Sequence, residues 1–137
     1  MRNLRKVPVI LFGAALLALL GGCRTLPNKK LAEEVAAAQP AYEITAEELA
    51  REYAEDKAAA NLKYKGKVLI VSGRVAKLRG RIYDDYLMLG DLKRGSIQCL
   101  FADADQLAGL SKGQEIRVKG KCDGKIFHVL LIGCGLQ

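Results

Sequence analysis

The stretch Lys67-Val-Leu-Ile-Val-Ser-Gly73-Arg-Val-Ala-Lys-Leu78 reads as one long β-strand with a glycine near its middle. Glycine inside a strand marks a sharp bend or a bulge, since it packs nothing and lets the backbone turn. A long strand bent at its centre can pair on both sides, which is what closing a small barrel requires.

The chain after this strand keeps a period of two. Residues 83–89 and 96–101 read as strands bounded by Gly or charged residues. Residues 102–110 are the one helical interruption, with Leu107 and Leu110 as the buried side. Residues 115–122 alternate, with Ile116, Val118, Gly120 and Cys122 on one face and Glu115, Arg117, Lys119 and Lys121 on the other. Asp123-Gly124 is a tight-hairpin signal, and 126–132 is apolar on both faces. The order strand-strand-strand-helix-strand-strand, with a bent first strand, predicts a mostly β, five-stranded OB-fold barrel. The helix position argues against an SH3-like barrel. The doubly apolar last strand needs a cover outside the barrel, and so do Val68 and Ile70 on the outward side of strand one.

The expected cover lies upstream. Thr45-Ala46-Glu47-Glu48 fits a capping box, with Thr45 as N-cap, and predicts a helix over 46–61. Leu49, Tyr53, Ala60, Ala46 and Ala50 lie near one face of it at helical spacing, while Glu47, Arg51, Glu52, Glu55 and Asp56 form a solvated acidic face. Residues 24–40 are polar and Ala-rich between the breakers Pro27 and Pro40, with a marginal helix at 31–38. They read as a tether. The expected organisation is a signal peptide at 1–22, a tether at 23–44, and an OB-fold domain with its N-terminal helix at 45–137.

The beginning of the chain supplies an address. Arg2, Arg5 and Lys6 precede 14 largely apolar residues at 7–20, long enough for a signal-peptide core and too short to span a bilayer. The run ends in Leu20-Gly21-Gly22-Cys23, which resembles the lipobox of bacterial lipoproteins. That resemblance implies a diacylglyceryl group on the Cys23 thiol and cleavage that makes Cys23 the N-terminus. The expected location is the bacterial cell envelope, on the outer membrane facing the periplasm where the source has two membranes.

Processing would redistribute the charge. The 137-residue chain carries +7, but residues 1–22 hold three basic and no acidic side chains. Residues 23–60 hold five basic and eight acidic groups, net −3, and residues 61–137 hold fourteen and seven, net +7. The basic character belongs to the barrel. With no Trp and one His, composition disfavours a haem pocket or a multi-His metal centre.

The run 61–67, Asn-Leu-Lys-Tyr-Lys-Gly-Lys, followed by Val71-Ser-Gly-Arg-Val75, resembles the entry to bacterial OB-fold proteins of the tRNA anticodon-binding-like family. Ile97-Gln-Cys-Leu-Phe101, Gly113-Gln-Glu-Ile-Arg-Val-Lys-Gly120, Cys122-Asp-Gly124 and residues 129–134 continue the resemblance, which covers roughly 46–136. Members are often secreted or lipid-anchored. The family name reflects fold and does not imply tRNA binding, and the resemblance carries over no catalytic residues.

Cys99, Cys122 and Cys134 remain outside the lipobox. In an oxidising compartment a Cys99–Cys134 disulfide is the expected pairing, because the third and fifth strands of an OB barrel are neighbours. A hairpin at Asp123-Gly124 would place Cys134 about 30 Å along the strand from Cys122. Buried free thiols are the alternative. There is no C-x-x-C, clustered His, nucleophile-base pair or phosphate loop, so the chain reads as a non-enzyme without metal or cofactor. His128 reads as a polar strand residue, and Asp84, Asp85 and Asp91 as turn carboxylates.

The usual OB ligand face lies over the second and third barrel strands. Around it the sequence offers Lys77, Arg79 and Arg81 in the first loop, Tyr83 and Tyr86 on strand two, and Lys121 and Lys125 in the last loop. Cations beside aromatics can track a polyanion and stack on its rings. Tyr83 and Tyr86 have opposite strand parity, so both share a face only across a bulge. A solvated basic face is the other reading of the same residues. The expected partners are the membrane through the N-terminal lipid, and an anionic envelope polymer, lipid headgroup or acidic protein. Nucleic acid is not expected in that compartment, though binding of single-stranded nucleic acid is the alternative reading of the basic face.

Overall fold

Strand β2 (Val68–Arg79) organises the molecule. In this computed structural model, which describes residues 27–79 and 85–137, the strand has two halves with different partners. Residues 68–74 pair antiparallel with β5 (Glu115–Lys125), and Val75 to Arg79 pair with β3 (Asp85–Asp91). Strand β4 (Gly95–Phe101) pairs antiparallel with β3 and parallel with β6 (Val129–Leu136), which returns antiparallel to β5. The order β2-β3-β4-β6-β5 closes on β2, as the sequence predicts for an OB fold. Leu69, Val71, Val75, Leu87, Leu89, Ile97, Val118 and Leu131 fill the interior and are almost fully buried. A sixth strand, β1 (Tyr42–Thr45), adds in parallel to the first half of β2.

The barrel has two distinguishable ends. One carries the ends of β2, β4 and β6 and the start of β3, and is called here the β2–β3 end. The other carries the β3–β4 turn and the β5–β6 turn.

The bend expected at Gly73 is resolved into two events. The register shift lies between Val75 and Lys77, where β2 changes partner. At Gly73 the requirement is closeness, since a Cβ there would lie 3.0 Å from the Cβ of Ala46.

The expected helix over 46–61 is two helices, α2 (Ala46–Glu55) and α3 (Lys57–Tyr64). Thr45 caps α2 by accepting from the Glu48 amide at 3.2 Å, as the capping box predicts. Asp56 adopts extended backbone (φ −153°, ψ 98°) and accepts from the Ala59 amide at 3.0 Å, so it ends one helix and caps the next. The resulting elbow lets Ala46, Leu49, Ala50 and Tyr53 from α2, and Ala60 and Tyr64 from α3, join one core. The Tyr53 hydroxyl donates to Asn61 Oδ1 at 3.1 Å, and the Tyr64 hydroxyl donates to Glu52. Burying each ring contributes about 2–3 kcal/mol, and these bonds satisfy the polar tips. The pair plugs the β5–β6 turn end: Cβ atoms at Gly90 and Gly95 would meet Ala46 and Ala50, and one at Gly124 would meet Asn61.

The outside of β6 has a different cover from the one expected. Helix α1 (Pro27–Ala37), inside the stretch expected to be a tether, lies along β6 and β5. Its own Val35 is buried against Gly133 of the sheet, and Lys119 Nζ donates to the Ala36 carbonyl at 3.0 Å. A cation at the last carbonyls of a helix is favoured by both the hydrogen bond and the helix dipole. Among the described residues, no helix is long and apolar enough to cross a membrane.

Two further expectations change. The helix over 102–110 contracts to a single 3-10 turn (Ala104–Leu107), capped by Asp103, with Leu107 and Leu110 packed partly buried against the core. The hairpin at Asp123-Gly124 is a bulge. Strand β5 continues to Lys125, its register slips between Cys122 and Lys125, and Gly124 holds φ +84°. The chain reverses at 126–128 instead, so His128 belongs to the turn and not to a strand. Cys122 consequently faces Leu131, three residues from Cys134, about 10 Å in place of the 30 Å expected.

Candidate ligand-binding face

Alternation along β3 sends Leu87 and Leu89 inward and Tyr86 and Met88 outward. Directly opposite them on β2 stand Arg79 and Lys77, and on β4 stand Leu100 and Gln98. The register shift between Val75 and Lys77 is what aims both cations onto this face, because a regular strand would leave Lys77 with the parity of Val75. Gln98 neighbours Leu130 on β6. The β5–β6 turn then folds His128 over the lower edge, where its Nδ1 lies 3.3 Å from the Oγ of buried Ser96.

Lys77, Tyr86, Met88, Leu92, Gln98 and His128 thereby line one shallow depression of about 140 Å³. It combines a cation, an aromatic ring, a thioether and an amide on strands with an imidazole from a turn. Such a surface can hold a negative group at Lys77, stack a planar or pyranose ring on Tyr86, and exchange hydrogen bonds through Gln98 and His128. Its rim is apolar: Leu92 is exposed in the β3–β4 turn, and Ile126 and Phe127 are 85% and 86% exposed in the β5–β6 turn.

A groove of about 770 Å³ lies between α1 and the β2–β3 end, but Glu33, Asp85 and Asp103 outnumber Lys29 along it. An anion would be repelled there. Size therefore does not select the site, whereas charge and ring chemistry favour the smaller depression.

The sequence-predicted face divides on the structure. Lys77, Arg79 and Tyr86 come together on adjacent strands. Lys121 does not join them, because it stands on β5 between Val68 and Ile132, on a strand that touches neither β3 nor β4. Lys125 ends β5 opposite Val129. Arg81, Tyr83 and Asp84 lie outside the described residues, as do Leu20, Gly21, Gly22 and Cys23. Met88, Leu92, Gln98 and His128 were not anticipated. Their signal was the strand parity of Tyr86, which Met88 shares, and the cross-strand register that brings Gln98 beside it. Asp91 accepts from the Lys93 amide at 2.8 Å, the turn role expected of it.

Cys99, Cys122 and Cys134 are free thiols, all buried. Cys99 pairs in register with Leu131, and Cys134 with Phe101, so these two thiols are diagonal neighbours across β4 and β6. Burial pushes the Cys99 thiol well above its ordinary range, and the adjacent Cys134 adds to the effect. Cys122 Sγ sits 3.4 Å from the Tyr53 hydroxyl.

The family model of the tRNA_anti-like proteins matches residues 1–134. Among solved structures, a "putative nucleic acid-binding lipoprotein" from Klebsiella pneumoniae is similar to this chain with a TM-score of 0.58 and 16% identity. The match covers 77% of this chain and 96% of that one, and it bears on the fold. The S. pombe Stn1-Ten1 complex matches at a TM-score of 0.39 and 14% identity, over 51% of this chain and 57% of that one. No curated protein matches the chain.

Proposed function

We propose, from the premise that this chain belongs to the tRNA_anti-like family, that it is a lipid-anchored protein of the bacterial cell envelope whose OB barrel binds an anionic polymer. The polymer would lie across the outer face of β2, β3 and β4. One observation carries this reading: Lys77, Tyr86, Gln98 and His128 surround a single depression on the face where OB barrels take oligosaccharides and oligonucleotides. The charge distribution supports it, since residues 61–137 carry the positive excess. Anchorage is supported by Leu20-Gly21-Gly22-Cys23 after a basic start and a short apolar core, and the Klebsiella protein is likewise named a lipoprotein. In a cell with two membranes the anchor would sit in the outer one, with the barrel in the periplasm. In this reading the barrel acts by binding, without turnover.

Single-stranded nucleic acid is the second reading. It is favoured by the name of the Klebsiella protein and by the pairing of Arg79 with Tyr86, a cation beside a stacking ring. A C23S chain titrated with polygalacturonate and with a single-stranded oligonucleotide over a salt series separates the two. Saturable binding of the polysaccharide, with the oligonucleotide lost at about 0.15 M salt, supports the envelope polymer. Tight oligonucleotide binding whose log affinity falls steeply with log salt, without polysaccharide binding, replaces it by the second reading.

A further inference from the structure

We infer that the protein is held close against the bilayer by its β2–β3 end, with the Phe127 turn directed away from the membrane. This rests on the lipid anchor at Cys23 proposed above and adds to it the surface of the fold that meets the membrane.

The argument starts from α1. A free tether over 23–44 would give the domain a maximum reach of about 75 Å from its lipid. Residues 27–37 are not free, because α1 is seated on β6. Val35 is buried, the Ala36 carbonyl accepts from Lys119, and Gly133 lies so close under the helix that a Cβ would sit 2.9 Å from Leu31 Cγ and 3.0 Å from Val35 Cγ2. Only residues 24–26 separate Cys23 from the first residue of α1, so the folded domain begins at most about 14 Å from the lipidated residue.

The seat of α1 decides which end that is. From Asn28 and Lys29 to Ala36 the helix lines one groove with Asp85, Ala102 and Asp103, at the start of β3 and just past the end of β4. Its last turn meets Lys119, which pairs with Gly135 near the end of β6. After it the chain reaches the opposite end, where the Ala41 amide donates to the Val68 carbonyl at 2.8 Å at the start of β2. The lipid therefore leaves from the β2–β3 end. Ile126, Phe127 and Leu92 occupy the other end, and β6 alone separates the two by about 26 Å. Among the described residues at the β2–β3 end charge is mixed, with Lys29 and Arg79 against Asp85 and Asp103. The length of the chain sets the contact, and attraction to headgroups does not, so the orientation should not depend on salt.

The absence of Trp from the chain makes single-Trp reporters clean. The lipidated protein carrying D105W, next in sequence to the Ala104 of the α1 groove, or F127W, at the far turn, is reconstituted into phosphatidylethanolamine–phosphatidylglycerol vesicles containing a dansyl-headgroup lipid. Energy transfer from D105W should exceed that from F127W at least about threefold, given the separation along β6. The excess should persist at high salt and vanish when a twelve-residue Gly-Ser insert separates Leu26 from Pro27. Equal transfer from the two positions, or a larger signal from F127W, overturns the orientation. Failure of the anchor looks different: a C23S protein that stays on the vesicles removes the lipid reading itself, whatever the reporters show.

Discussion

Gly133 passes beneath Leu31 at a distance no other residue type can keep. A Cβ at Gly133 would lie 2.9 Å from Leu31 Cγ, and the backbone there has φ +63°, where an L side chain is strained as well as crowded. One glycine thus admits α1 to the β6 surface and turns a nominal tether into part of the domain.

Gly133→Ala should therefore destabilise the protein by about 2–4 kcal/mol, combining left-handed strain with overpacking. Urea unfolding gives the loss, and limited proteolysis gives its location. Cleavage within 27–38 should appear before cleavage of the barrel. A variant as stable and as protected as wild type would show that α1 does not depend on this contact.

Asp56 is the second hinge of the architecture. It closes α2 and caps α3 through the Ala59 amide. Asp56→Ala should cost about 1 kcal/mol in urea unfolding, and Asp56→Asn, which keeps the acceptor, a few tenths. Equal losses in the two variants would mean that the charge matters and the cap does not.

Much of this was legible beforehand. The alternation through Leu69, Val71 and Val75, together with Gly73, announced the barrel, and Thr45-x-x-Glu48 announced α2. Three features escaped for physical reasons. Asp56 carries the same residue type as a solvated helix face, and only its backbone angles show that it is a cap. Asp123-Gly124 suits a hairpin turn and a bulge equally well, since both need a glycine at positive φ. Helix α1 has a thin apolar stripe and short length, so tertiary packing on Gly133 and Lys119 decides its state. The site was half legible. Lys77, Arg79 and Tyr86 were named, but Gln98 and His128 reach them through register and a turn that sequence spacing does not reveal.

Glu52 gives a pH signature. The hydrogen bond from Tyr64 holds its carboxyl below the usual range, helped by Lys63 at 3.1 Å and opposed by partial burial. A depressed folded-state pKa stabilises above the unfolded value, near 4.5, and that stabilisation is lost as pH falls through the folded value. Glu52→Gln should cost less than about 1 kcal/mol at pH 7, because solvent screens the group. The gap between variant and wild type should close in urea titrations below pH 4. A gap that widens on acidification contradicts the assignment.

The thiols test burial. Native alkylation at pH 8 should label none of Cys99, Cys122 and Cys134, since all three are buried and the Cys99 thiol is shifted up. Unfolding the C23S protein without reductant should release three thiols. A count of one would show that Cys99 and Cys134, the diagonal pair across β4 and β6, had bridged.

The central claim is that ligand binding resides on the outer face of β2, β3 and β4. Its most direct test is the affinity of the C23S chain for polygalacturonate with cations removed in pairs, one pair from β2 and one from β5. Changing Lys77 and Arg79 together to Gln should weaken binding about tenfold or more, the equivalent of about 1.4 kcal/mol, whereas changing Lys121 and Lys125 together to Gln should leave it within about twofold. Equal losses from the two pairs, or a greater loss from Lys121 and Lys125, would contradict the assignment of the site.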